Sequence, residues 1–449
     1  MTRPRHTSMY WWSGLLLAAL AVRLVAAVWW QQRLPEQQQF AFGDSESYWR
    51  LGLKIARGQE YEYGEGGWKV FRTPGYPLLL AGLFRVVPGG LDSPNVLWGR
   101  GLSAVLGCLT ILGVVVLAWQ LFGARTAFLA AAVAAFYPEA IAASVFILSE
   151  APFGPPFVVH LIAWILAWRA SSVGTQAGWA IVAGIAAGIG TLVRPSWLLF
   201  TPFALGAGLV FLGDRRRQMV IGLVTLVAFA ATMSPWWIRN YRVAGRYVPT
   251  SLQVGTSLYD GLHEGATGAS EMSFVSEFAA EQFQADAAAA DAGPPPAGLF
   301  EDRLDRRLQA AAIAWAAKNP GRVCELAVIK FLRMWSPVPN ATEFSSLTLR
   351  LVLAVTYTPV LLLALWGAWK FARRGWPYLL CTLPAIYFTL LHVIFVSSIR
   401  YRQPAMLLLI VLAAGAAASL VWPAETAAIP PDSTQRKSST PAPQSSQAR

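Results

Sequence analysis

Residues 97–118 read LWGRGLSAVLGCLTILGVVVLA. At 1.5 Å per residue a helix of this run covers about 33 Å, enough to cross a hydrocarbon core of about 30 Å. Nine further apolar runs lie around it, at about 10–30, 126–147, 151–168, 177–193, 196–213, 218–238, 350–369, 376–397 and 403–422. Ten such runs predict an all-α polytopic membrane protein. Composition agrees: of 449 residues 55% are hydrophobic and only 13% charged, against about 25% charged in an average globular chain. Mean hydropathy is +0.45, which excludes a soluble enzyme. The first run reads as a retained span and not a cleaved signal peptide, because Arg23 interrupts it and Trp29 and Trp30 close it like an interfacial belt.

The net charge is +12. In a soluble protein that would suggest nucleic acid; here the bases flank apolar runs, so topology explains much of the excess and no nucleic-acid partner is expected. With the N-terminus, including Arg3 and Arg5, in the cytoplasm, the short cytoplasmic loops carry Arg125, Arg169, Arg215 to Arg217, Lys370, Arg373 and Arg374. The acids Asp44, Glu46, Glu139 and Glu150 then fall on the opposite side. The predicted organisation is a cytoplasmic N-terminus and first span (1–30), a first extracytoplasmic loop (31–96), a six-span core (97–238), a second extracytoplasmic loop (239–349), three C-terminal spans (350–422) and a disordered cytoplasmic tail (423–449). The setting is a cell (inner) membrane. Within the second loop, Phe300 to Ala317 and Arg322 to Trp335 read as helices; the Ala/Gln-rich stretch before Gly293-Pro294-Pro295-Pro296 is left open. Long loops in a compact protein are usually functional.

The distinctive charges gather at the outer rim. Arg400 and Arg402 bracket Tyr401 at the start of the last run, and Arg194 precedes Pro195 at another outer turn. The positive-inside rule does not place bases there. Lipid headgroup snorkelling is the structural explanation; an anion site is the functional one, since guanidinium forks bind phosphate oxygens in pairs. Asp44 and Glu150 supply the acids. A helix N-cap explains Asp44 structurally and a helix-start charge explains Glu150, yet a carboxylate at an apolar boundary is a functional candidate by default. Arg72 lies in a stiff turn, Phe71-Arg72-Thr73-Pro74-Gly75-Tyr76-Pro77. None of the four His is paired at metal-ligand spacing, and the three Cys provide no disulfide framework or thiolate metal site. There is no Walker loop, no dinucleotide fingerprint and no serine-nucleophile elbow.

In order along the chain, these pieces resemble the polyprenyl-phosphate-dependent glycosyltransferases of the GT-C membrane fold. The nearest set is glycosyltransferase family 39, the protein O-mannosyltransferases, together with the aminoarabinose transferases that modify lipid A. The resemblance covers roughly residues 10–420. It rests on Asp44-Ser45-Glu46-Ser47-Tyr48-Trp49, on Arg72-Thr73-Pro74-Gly75-Tyr76-Pro77-Leu78-Leu79-Leu80, on Leu148-Ser149-Glu150 and on Leu192-Val193-Arg194-Pro195. Two further motifs complete it, Ser234-Pro235-Trp236-Trp237-Ile238-Arg239-Asn240-Tyr241 and Arg400-Tyr401-Arg402-Gln403-Pro404. The adjacent Asp-Glu pair of many protein mannosyltransferases is absent; Glu46 is displaced by one position. Members often end in a soluble extracytoplasmic domain. These 449 residues show none, so acceptor selection is expected to fall to the two long loops.

The resemblance implies an integral membrane enzyme that moves a hexosyl or pentosyl group from a polyprenyl-phosphate donor to a hydroxyl on a protein, lipid or glycan, with inversion. Asp44 would be the general base and Glu150 would orient the acceptor or share the load. Arg72, Arg400, Arg402 and Arg194 would hold the donor phosphate, with Glu46, Tyr76, Arg239, Asn240 and Tyr401 in support. Whether a divalent metal assists stays open, because relatives differ. A transporter or flippase for lipid-linked glycans, or a polysaccharide polymerase or ligase, is the alternative. Transporters tend to carry charges at mid-membrane, whereas only Arg23 does so clearly here.

Overall fold

The computed structural model describes residues 7–35, 38–64, 66–294, 296–340, 344 and 346–422. The N-terminal Arg3 and Arg5 and the tail expected to be disordered lie outside them. The described residues form α1 (Thr7–Gln31), α2 (Gly43–Ala56), α3 (Gly75–Phe84), α4 (Val96–Phe122), α5 (Ala124–Phe136), α6 (Pro138–Val145), α7 (Glu150–Arg169), α8 (Val173–Val193) and α9 (Phe200–Phe211). They continue through α10 (Arg215–Ala244), α11 (Val254–Gly261), α12 (Phe274–Ala292), α13 (Phe300–Lys318), α14 (Pro320–Met334), α15 (Leu347–Phe371), α16 (Trp376–Ile394) and α17 (Ile399–Val421). Among the described residues the only extended pairing is one isolated bridge, Tyr63 with Trp68.

Eight of these helices are long and apolar enough to cross a membrane, or nine if one bent pair counts as a span; the sequence alone suggests ten. Two runs account for the difference. The run 126–147 breaks into α5 and α6, bent by 56°. Pro138 has no N–H to continue α5 and biases the preceding residue away from helical geometry, and Tyr137 adopts ψ 117°. The run 196–213 yields only the 12-residue α9, because Pro195 opens a short 3-10 turn first. Twelve residues reach about 18 Å, too short for the hydrocarbon.

The break also explains Arg23. Its guanidinium is buried and donates to the carbonyls of Ala134 (3.2 Å), Ala135 (2.7 Å) and Ala19 (3.1 Å), and to Ser144 Oγ (3.3 Å). Ala134 and Ala135 lie in the last turn of α5, whose carbonyls lose their helical donors at Pro138. Arg23 supplies those donors inside an apolar layer where an unpaired carbonyl is costly.

Helix α17 is the centre of the bundle, buried over almost its whole length. The connecting segment 239–349 is helical rather than loop-like. Helices α13 and α14 match the two sequence-predicted stretches, and α12 occupies the stretch left open. One glycine places the site. A Cβ on Gly75 would lie 2.6 Å from the carbonyl carbon and oxygen of Leu192. Only a bare α-carbon lets the start of α3 press on the end of α8, which brings the Arg72 turn up to Arg194.

Candidate active site

Five side chains from distant parts of the chain meet where α2, α7 and α17 begin, where α8 ends and at the turn before α3. Asp44 is the second residue of α2, whose N-cap is Phe42. Its carboxylate instead faces two guanidinium groups: Arg72 pairs with Oδ1, and Arg400 Nη1 lies 3.3 Å from Oδ2. Arg400 Nε reaches Glu150 Oε1 at 2.5 Å, and Arg194 Nη1 reaches the same oxygen at 2.8 Å. Arg194 also donates to Ser149 Oγ at 3.1 Å. The result is a continuous chain of charge, Arg72–Asp44–Arg400–Glu150–Arg194.

The two acids sit in different surroundings. The Glu150 side chain is 2% exposed and that of Asp44 38%. Glu150 is therefore the inner anchor and Asp44 the acid an incoming molecule can reach. Burial opposes charge on Asp44, but the guanidinium groups of Arg72 and Arg400 outweigh it and hold the carboxyl at about 2, below its ordinary 3.8. Three guanidinium groups against two carboxylates leave the cluster with one unit of positive charge.

The rest of the site fixes these groups. Arg72 donates through Nε to Ser47 Oγ (3.2 Å) and through Nη1 to Gln253 Oε1 (3.0 Å). Its guanidinium lies over the rings of Phe71 (4.9 Å) and Tyr48 (5.1 Å). Tyr401 stacks on His392, with centroids 4.2 Å apart and planes 4° apart, and its ring lies 5.9 Å from both Arg194 and Arg400. Tyr76 is fully buried beneath Tyr48, with its hydroxyl 3.3 Å from Ser103 Oγ.

Asp44, Glu150, Arg72, Arg194, Arg400 and Tyr401 thus come together. Arg402 does not join them. Residues two apart on a helix point about 200° apart, so Arg402 faces the opposite side of α17. There it is fully buried, paired with Glu139, lies over the Tyr357 ring at 3.7 Å, and donates to the carbonyls of Met334 (2.9 Å) and Ser336 (2.6 Å). Glu46 pairs with Arg50 one turn along α2 at 2.6 Å, outside the network. Arg239 donates to the carbonyls of Lys69 (2.7 Å) and Tyr61 (3.1 Å), and Asn240 to those of Val248 and Thr250. These two shape the connecting segments rather than face the acids. Gln253, Ser47 and His392 are contacts that the sequence reading missed. Ser47 follows Asp44 by one helical turn, a usable signal; Gln253 carries none.

The site offers no three-residue cage for a divalent ion. Among the described residues no three His, Cys, Asp or Glu side chains converge on one point, and both acids of the site already face guanidinium groups.

Residues 72–238 match the family model described as dolichyl-phosphate-mannose-protein mannosyltransferase. That stretch holds Arg72, Glu150 and Arg194. No curated protein matches the chain. Among solved structures, the archaeal oligosaccharyltransferase AglB of Archaeoglobus fulgidus, in complex with an inhibitory peptide and a dolichol-phosphate, aligns at a TM-score of 0.56 and 16% identity. The alignment covers 93% of this chain and 51% of AglB. The chain has the GT-C fold. A second structure of the A. fulgidus oligosaccharyltransferase, tethered to an acceptor peptide, aligns at 0.55 and 17% identity, over 92% of this GT-C chain and 50% of that one. ArnT from Cupriavidus metallidurans, bound to undecaprenyl phosphate, aligns at 0.42 and 17% identity, over 92% and 80%. The GT-C chain therefore spans about half the length of the oligosaccharyltransferase it matches.

Proposed function

We propose that this protein is an integral membrane glycosyltransferase. It takes a sugar from a polyprenyl-phosphate donor and transfers it, with inversion, to a hydroxyl acceptor on the extracytoplasmic side of a cell membrane. The observation that supports this best is the charged chain at the helix ends. A phosphodiester carries one negative charge, the complement of the cluster's single excess positive charge. A lipid-borne phosphate also lies at this depth of the bilayer.

In the donor-free state Arg72 and Arg400 neutralise Asp44. An incoming donor phosphate competes for the same forks, and fork-to-oxygen pairing is the stronger geometry for a guanidinium. Asp44 then loses counter-charge and gains an anionic neighbour, and both changes raise its basicity. It accepts the proton of the acceptor hydroxyl as that oxygen bonds to the anomeric carbon. The bond from that carbon to the phosphate oxygen breaks on the opposite face, and the phosphate leaves with both bonding electrons. Arg72 and Arg400 face the charge that develops there; one such donor is worth about 100- to 1,000-fold in rate. A positioned base adds about 100- to 10,000-fold. Glu150 holds Arg400 and Arg194 in place from the buried side. Whether the acceptor is a protein, a lipid or a glycan is selected by the surface around Asp44.

The test is sugar transfer by purified protein from a labelled polyprenyl-phosphate sugar to envelope acceptors. Asp44→Asn should cut transfer by about 100- to 10,000-fold without weakening polyprenyl-phosphate binding. Transfer by Asp44→Asn at the wild-type rate would remove Asp44 as the base, and wild-type protein that neither binds the lipid phosphate nor transfers would remove the whole reading.

A further inference from the structure

Within its own loop the segment that carries Arg72 is tied by the Tyr61 hydroxyl, which donates to Arg72 O at 3.1 Å. Just before Arg72 its backbone is held by residues of the distant connection 239–349 and of the 239 end of α10. Glu301 Oε1, on α13, accepts from the backbone N–H groups of Lys69 (3.1 Å) and Val70 (2.8 Å). Leu252 N donates to Val70 O at 2.9 Å, and Arg239 donates to Lys69 O at 2.7 Å. Next to Leu252, Gln253 Oε1 accepts from Arg72 itself at 3.0 Å.

Glu301 and Gln253 belong to one rigid piece. Gln253 precedes α11, whose Gly255 N–H donates to Asp305 Oδ1 on α13 at 2.7 Å. A Cβ on Gly255 would lie 1.8 Å from Asp305 O, so the two helices are in backbone contact. Glu301 begins the same helix and is 5% exposed. With Nε held by Ser47 and Nη1 by Gln253, the planar Arg72 fork has one free way to face, toward Asp44.

We propose that Gln253 and Glu301 are positioning residues for Arg72: Gln253 orients its guanidinium directly, and Glu301 fixes the backbone two residues before it. This rests on the reading of Arg72 as a donor-phosphate ligand. The α11–α13 piece is then part of the donor site, although it is remote from every other charged residue there in sequence.

A double-mutant cycle on the full-length protein in detergent tests this, with undecaprenyl phosphate as the probe. Arg72→Ala sets the full loss of affinity. Gln253→Leu and Glu301→Ala should each weaken binding about three- to tenfold, the worth of one to two hydrogen bonds. Glu301→Gln keeps a side-chain oxygen and should bind within about twofold of wild type. In an Arg72→Ala background neither Gln253→Leu nor Glu301→Ala should weaken binding further. Losses that simply add to that of Arg72→Ala, or single variants that bind like wild type, would overturn the proposal. Arg72→Ala binding as tightly as wild type would instead show that Arg72 is no phosphate ligand, which ends the donor-site reading and this inference with it.

Discussion

Arg400 Nη1 lies 3.3 Å from Asp44 Oδ2, across 356 positions of sequence. The same guanidinium, through Nε, holds Glu150. One side chain of α17 thus joins the exposed acid to the buried one, and a ligand that claims Arg400 must disturb both.

Asp44 should therefore compete with the donor for its arginines. Asp44→Asn removes the competing charge, leaving Arg72 without a carboxylate partner and Arg400 paired with Glu150 alone. Equilibrium binding of undecaprenyl phosphate should tighten, by about tenfold for the loss of the competing carboxylate. Glycosyl transfer by the same variant should fall by about 100- to 10,000-fold. A loss of both affinity and rate would mean that Asp44 helps to bind the phosphate and does not oppose it.

Glu301 gives the fold a pH dependence. Burial drives its carboxyl up to about 7 from 4.5, against the backbone N–H bonds from Val70 and Lys69 that lower it. An acid whose folded value is raised stabilises the fold most below its unfolded value, and that stability is lost as pH rises through 7. Wild-type protein should accordingly melt at a lower temperature at pH 7.5 than at pH 5. Glu301→Gln should flatten the part of this slope that lies between about 5 and 7. Thermal melts of the two proteins across this window, compared pH by pH, decide the matter; parallel curves would contradict it.

The Arg402–Glu139 pair should matter for folding and not for the ligand. Removing one partner of a buried pair leaves an uncompensated charge and destabilises by about 3–5 kcal/mol. Arg402→Met alone should lower the melting temperature and the yield of folded protein. Arg402→Met combined with Glu139→Leu should recover most of that loss. The folded fraction of either variant should bind undecaprenyl phosphate as wild type does, whereas Arg400→Ala should not. Weak binding by the stable double variant would place Arg402 among the phosphate ligands after all.

Arg23→Met should destabilise through the carbonyls it leaves behind. Ala134 O and Ala135 O lose a donor in an apolar layer, each worth about 1–3 kcal/mol. The expected readout is earlier thermal aggregation in detergent, with sugar transfer per folded molecule unchanged. Normal stability would mean that other groups cap α5.

Much of this site was legible in the sequence, because its residues are charges where charges are expensive. Glu150, Arg194 and Arg400 each border an apolar run, Asp44 and Arg72 stand in the first long loop, and the predicted ends of those runs fall on one side. What failed was geometry within a helix. Arg400 and Arg402 look equivalent as a motif, but a rotation of about 100° per residue separates them. Tyr137-Pro138 and Arg194-Pro195 are visible as proline positions, yet hydropathy alone reads both runs as straight crossings, where the first is a bent pair and the second a 12-residue helix. Gln253 was beyond reach: a neutral side chain in a long connection gains its role only when α11 packs on α13.

A helix pair bent by 56° at Tyr137 and Pro138 reaches less far along the membrane normal than a straight helix of equal length. Lipids that pack against a shortened belt draw their headgroups inward by a few ångströms.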